Sequence, residues 1–243
     1  MMNKNIVASV LLVASLLLSA AFGEDKEDSS QKASPAELPN VLIIGDSISI
    51  GYTKRVKELL KDIANVSRPQ GNCADSGTGL KNLQTWLGTQ KWDVIHFNFG
   101  IWDTHWMKGG QIVSIQNIDN DTRRRFTTEE HLENMSKIVA ILKKTGAILI
   151  WGSTTPYVSY GEDTKLLLQK NNDTDKELML KEGVTVNDLY NLALPNLKEW
   201  QSNDGCHFKP EGYDQLAQQV ASTIADVLTK QARETVPNTK NGQ

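Results

Sequence analysis

Two short stretches hold the residue types needed to transfer an acyl group: a serine in "VLIIGDSISIGY", and an aspartate and a histidine in "DGCHF". A serine hydroxyl is a weak nucleophile near neutral pH unless an imidazole takes its proton. The imidazole works best when a carboxylate fixes its tautomer and steadies its cation. Asp204 and His207 stand close enough in sequence for one tight turn to bring the carboxylate to one ring nitrogen, leaving the other to face Ser47 far earlier in the chain. Each stretch also has a plainer reading. Ser47 after Gly45-Asp46 suits a helix N-cap, and Asp204 to His207 suits a turn before a helix.

The surrounding pattern decides whether these residues can meet. Apolar runs alternate with runs of helical period, the signature of βα units around a parallel sheet. Val41-Leu42-Ile43-Ile44 reads as a strand, and Val56, Leu59, Leu60 and Ile63 follow at helical spacing. A short strand at "NVSRP" precedes a helix carrying Leu80, Leu83 and Leu87, and "WDVIHFNFG" is the next strand. "TTEEHLENMSKIVAILKKTG" opens with a capping-box pattern, Thr127 to Glu130, and ends at Gly146. "AILIW" is a buried strand, "DKELMLKEG" a helix, "VTVNDL" a fifth strand and "PEGYDQLAQQVASTIADVLTK" a closing helix. The expectation is a three-layer α/β/α sandwich with a flavodoxin-like, about five-stranded parallel sheet. Ligands of such sheets bind outside the carboxyl ends of the strands. "GDSIS", "QGNCADSGTG", "GIWDTHW", "GSTTPY" and the segment ending in "DGCHF" all fall there.

"VLIIGDSIS", "NCADSG", "FGIWD" and "DGCHF", in this order, resemble the four signature blocks of the GDSL or SGNH-hydrolase superfamily, across Val41 to Leu228. The resemblance implies Ser47 as nucleophile, His207 as base and then acid, and Asp204 as its orienter. It also implies an oxyanion hole built from the Ser47 N–H, a glycine N–H of the second block and an asparagine side chain of the third. Gly77 keeps the family's interval from the asparagine of "NCADSG", with Gly79 as the fallback. The third block departs from the family's Gly-x-Asn-Asp, because Trp102 stands where the asparagine would be. An indole N–H donates one hydrogen bond and accepts none. The third donor is therefore Trp102 itself, or Asn98 four positions earlier, or the hole runs on two backbone donors.

Trp102, His105 and Trp106 cluster beside the expected site, where they either bind substrate or cover core. His96 is expected as a packed histidine in its strand, His131 as an exposed residue near a helix start, and "RRR" at Arg123 to Arg125 as a solvated loop face. The chain has two cysteines. In the parallel-sheet arrangement Cys73 and Cys206 share one edge, where they either form a disulfide tying the two loops together or remain buried thiols.

A formal net charge of -3 with no basic stripe gives no footprint for nucleic acid. No metal site is suggested by His, Cys or Asp spacing, and no glycine-rich phosphate loop follows the first strand, so no cofactor is expected. Residues 1–23, with Lys4 ahead of "IVASVLLVASLLLSAAFG", read as a cleaved secretory signal too short for a spanning helix. Residues 24–39 read as a disordered linker, 40–231 as the single domain, and 232–243 as a flexible tail. The mature chain is then secreted or periplasmic with no membrane span. The resemblance implies a serine esterase acting on a small ester or an acetylated carbohydrate. Its alternatives are a lipid or thioester acylhydrolase and a non-catalytic carbohydrate-binding relative.

Overall fold

The computed structural model describes residues 37–235. The expected signal, nearly all of the expected linker and the last residues of the tail lie outside the described residues. The elements run β1 (Asn40–Ile44), α1 (Ser47–Leu59), β2 (Asn65–Ser67), α2 (Ser76–Leu87), β3 (Val94–Phe97), β4 (Trp106–Lys108), β5 (Gln111–Ile112) and β6 (Arg123–Arg124). They continue α3 (Thr128–Lys143), β7 (Ile148–Gly152), α4 (Glu162–Lys181), β8 (Thr185–Asn187), α5 (Leu189–Ala193), α6 (Leu197–Trp200) and α7 (Pro210–Thr235).

Five strands form one parallel sheet in the order β2-β1-β3-β7-β8. This is the flavodoxin-like order, which reverses direction between β1 and β3. The alternation along β1 divides the core. Val41 and Ile43 pack with Ile48, Tyr52 and Val56 of α1 and Leu216, Val220 and Ile224 of α7. Leu42 and Ile44 pack on the other face with Leu83 of α2, Met135 and Ile138 of α3 and Met179 of α4. Successive strand residues point to opposite faces, so a strand covered on both reads as a continuous apolar run.

Three features go beyond the sequence expectation. Strands β4, β5 and β6 form a small antiparallel sheet in the connection after β3. Helix α4 starts at Glu162, well before the expected "DKELMLKEG", and the added length buries Thr164, Asn171 and Asn172 beside Leu168. A polar inner face of that kind leaves no apolar period to detect. Helix α7 continues through Thr235, past the expected domain boundary at residue 231.

Candidate active site

Ser47 opens α1 directly after β1, and the cap of that helix is Asp46, whose carboxylate accepts the Ile48 N–H at 3.0 Å. Asp46 satisfies a backbone donor of the first turn, so the Ser47 hydroxyl takes no part in the cap. Its Oγ lies 2.9 Å from Nε2 of His207. Nδ1 of the same ring lies 2.6 Å from Oδ2 of Asp204. The other Asp204 oxygen accepts the backbone N–H groups of Cys206 at 3.0 Å and His207 at 2.9 Å. Burial pushes the Asp204 carboxyl upward, but the Cys206 and His207 hydrogen bonds outweigh it and hold the group below its ordinary value. An ionised Asp204 keeps the proton on Nδ1, so Nε2 presents its lone pair to the serine hydroxyl.

The turn that carries this pair depends on Gly205. Its φ of 65° lies in the left-handed region, and a Cβ there would meet Val158 Cγ2 at 2.9 Å. The Val158 N–H donates to the Gly205 carbonyl at 2.9 Å, and the Ser159 hydroxyl donates to the Asp204 carbonyl. The loop after β7 therefore braces the loop that holds His207.

The second loop reaches α2 through Ala74, whose φ of 55° is stabilised by a 2.8 Å bond from its N–H to the Asn72 side chain. Asp75 caps α2 by accepting the Thr78 N–H at 2.9 Å, and Arg125 pairs with its other oxygen at 2.9 Å. Among the described residues no protein group accepts the N–H of Ser47 or of Gly77, the first and second residues of their helices. Such first-turn donors are orphaned by helix geometry and suit a developing anion. The two loops are joined where the Cys73 N–H donates to the Gly45 carbonyl at 3.3 Å. Gly77 lies against Phe126, whose Cζ would be 2.8 Å from an added Cβ. The fallback Gly79 is two residues further along α2, donates to the Asp75 carbonyl at 2.9 Å and packs on Phe99.

Asn98 does not serve as the third donor. Its side-chain amide is committed to the Gly152 carbonyl at 2.7 Å and to Thr154 Oγ1 at 3.0 Å, so both of its hydrogens hold β3 to the end of β7. Trp102 sits in a 3₁₀ turn, packs against the α1/α7 core and meets the His105 ring edge-on with centroids 5.3 Å apart. His105 continues the cluster to Tyr160 at 5.3 Å, and Tyr157 stands 5.1 Å from Tyr160. Burial, helped by Arg125, lowers the His105 pKa to about 4, so this ring is neutral. Trp106 lies apart on β4 beneath the Arg124 guanidinium, 4.0 Å from its ring centre. Of the arginine run only Arg123 is solvated, while Arg124 and Arg125 are partly buried. Arg124 also bonds the Thr104 carbonyl and Thr164 at 2.7 Å each.

The cysteines form no bridge: both are free, Cys73 in the core under α2 and Cys206 against the core of the opposite face. The sheet edge that brings their loops together separates their side chains. His96 is fully buried in contact with Asn187 at 3.2 Å, as a packed histidine. His131 is not exposed. It is fully buried between Asp103 and Asp175, 2.9 Å from each. Neither partner was tied to His131 in the sequence reading, which took this residue as exposed.

No family model matches the chain. An arylesterase of Vibrio mimicus is 23% identical over 199 residues, covering 77% of this chain and 89% of the relative. The solved lipase/acylhydrolase of Enterococcus faecalis superposes with a TM-score of 0.64 at 19% identity, over 78% of this chain and 97% of that one. The acetyl xylan esterase AlAXEase gives 0.61 at 13% identity, over 76% and 99%. At these identities the likeness to the solved structures is one of fold.

Proposed function

We propose that this chain, which has the fold of the GDSL/SGNH hydrolases, is a serine esterase that cleaves carboxylic esters through an acyl-serine intermediate. The observation that carries this reading is the continuous line Asp204 Oδ2, His207 Nδ1, His207 Nε2 and Ser47 Oγ, at 2.6 and 2.9 Å. As Ser47 Oγ attacks the ester carbon, its proton passes to Nε2 and the carbonyl electrons move onto oxygen. The uncommitted Ser47 and Gly77 N–H groups receive that oxyanion. Collapse breaks the bond to the alkoxide, which takes the proton back from Nε2. Water then repeats the cycle on the acyl-serine, releasing the acid and restoring Ser47. Asp204 supports the imidazolium at both stages without itself taking the proton.

The substrate reading is an O-acetyl group on carbohydrate. Trp102 and Tyr160 are the partly exposed members of an aromatic cluster beside the braced His207 loop, backed by the buried rings of His105 and Tyr157, and partly exposed rings suit stacking on sugars. The likeness to an acetyl xylan esterase agrees with it. A second reading is a longer acyl chain; an open groove of about 230 Å³ runs from Tyr160 of the aromatic cluster past Trp106, Ile115 and Ile118, with Glu162 and Asp163 on its rim. Export to the periplasm or medium rests on the leader-like residues 1–23 alone.

Purified protein and its Ser47→Ala variant should be compared on an aryl acetate. Turnover by the wild type that the variant loses supports the reading, and equal slow turnover by both ends it. Acetate release from acetylated polysaccharide, set against hydrolysis of octanoyl esters, then separates the two substrate classes.

A further inference from the structure

Asp103 is the centre of a buried polar network that takes no direct part in the proposed chemistry. Its Oδ2 accepts the Ser76 N–H at 3.0 Å, and its Oδ1 accepts the Ser76 hydroxyl. Oδ1 also lies 2.9 Å from Nδ1 of His131, whose Nε2 lies 2.9 Å from Asp175 Oδ2. The Asn134 amide donates to Ser76 Oγ at 3.0 Å. Asp103 and His131 are completely buried and Asp175 nearly so.

Both ring nitrogens of His131 face carboxylate oxygens, an arrangement that suits an imidazolium donating from both. Burial disfavours that cation, but Asp175 and Asp103 outweigh it and raise the pKa to about 10. Burial raises the Asp175 carboxyl above its ordinary value, opposed by His131 itself.

Buried ionic groups are expensive, and apolar residues of the same volume often stabilise as well or better. Stability alone is thus a poor reason for this arrangement, whereas its location is informative. Asp103 grips Ser76 by both its N–H and its hydroxyl, and the peptide that follows Ser76 carries the Gly77 N–H. The network also joins four segments: the 3₁₀ turn after β3, the start of α2, the first turn of α3 and the middle of α4.

We propose that His131 and Asp175 are positioning residues that lock Asp103, and through Ser76 hold the Gly77 N–H where it receives the oxyanion. The inference rests on the esterase reading. A hole lacking the usual side-chain donor leans harder on its backbone donors, so a small displacement of Gly77 is costly.

The test uses the full chain with His131→Asn, Asp175→Leu and Asp175→Asn, each measured at a temperature where circular dichroism shows it folded. His131→Asn is expected to lower kcat on the order of 10²-fold with KM little changed, the loss that follows a misplacement of about 1 Å. Amide exchange at Ser76, Gly77 and Thr78 should quicken in parallel. Asp175→Leu should share the defect, and Asp175→Asn should recover much of it, because its amide carbonyl still accepts from Nε2. If His131→Asn does not fold, the comparison of Asp175→Leu with Asp175→Asn carries the test. A folded variant with wild-type kcat and a lowered Tm would overturn the proposal, as would a raised KM with kcat retained. Wild-type protein inert towards every ester would dispose of the esterase reading and of this inference with it. Wild-type turnover that persists undiminished in the variants would dispose of the inference alone.

Discussion

Asp46→Asn separates the two duties of the residue beside the nucleophile. Asparagine caps a helix as well as aspartate, and its carbonyl can accept the Ile48 N–H that Asp46 now accepts at 3.0 Å. What the substitution removes is a buried charge. Burial is the main influence on this carboxyl, opposed by the Ile48 hydrogen bond and by His207, and it raises the pKa from 3.8 to about 6. Between those values the folded state binds a proton that the unfolded chain has released. Wild-type stability therefore falls as pH rises through this window, and the deficit is complete above pH 6. At about 1.4 kcal/mol for each tenfold change, the ionised carboxylate costs on the order of 3 kcal/mol. Guanidinium unfolding of both proteins at pH 4 and pH 8 measures this. The variant should match the wild type at pH 4 and exceed it by about 2–3 kcal/mol at pH 8. A stability difference that is the same at both values would refute the reasoning, since no proton linkage would then be present.

Gly77→Ala should lower kcat by roughly ten- to a hundredfold, because its Cβ would lie 2.8 Å from Phe126 Cζ and one of the two must move. Adding Phe126→Leu should recover part of the rate, and steady-state kinetics on an aryl acetate reads both effects. The His131 imidazolium contributes stability that is fully present below pH 6.5 and lost as pH rises towards about 10. His131→Asn should flatten the alkaline limb of a stability–pH profile taken by urea unfolding. Mass spectrometry after alkylation of unfolded, unreduced protein should find two modified thiols, at Cys73 and Cys206.

Apolar alternation and helical spacing carried most of the sheet, because strands covered on both faces and helices with one apolar side leave plain patterns. β1, β3 and β7 stand where the runs at Val41, Val94 and Ile148 place them. The site was legible for a related reason: a parallel sheet collects its loops at one edge, so Ser47 and "DGCHF" need only follow β1 and precede α7 to meet. What escaped was polar burial. The middle of α4 hides Asn171, Asn172 and Asp175 where a periodicity argument expects leucines. His131 looked exposed because its partners lie on the 3₁₀ turn and on α4, distant in sequence. The committed amide of Asn98 and the separation of the cysteines across the sheet are likewise side-chain directions, which sequence order does not specify.

The proposed activation of Ser47 by His207 is read out by labelling with a serine-directed aryl phosphonate, followed by peptide mass spectrometry. One adduct is expected, on Ser47, abolished by Ser47→Ala and strongly slowed by His207→Ala. An adduct that persists in Ser47→Ala, or a wild-type protein that stays unlabelled, would contradict it.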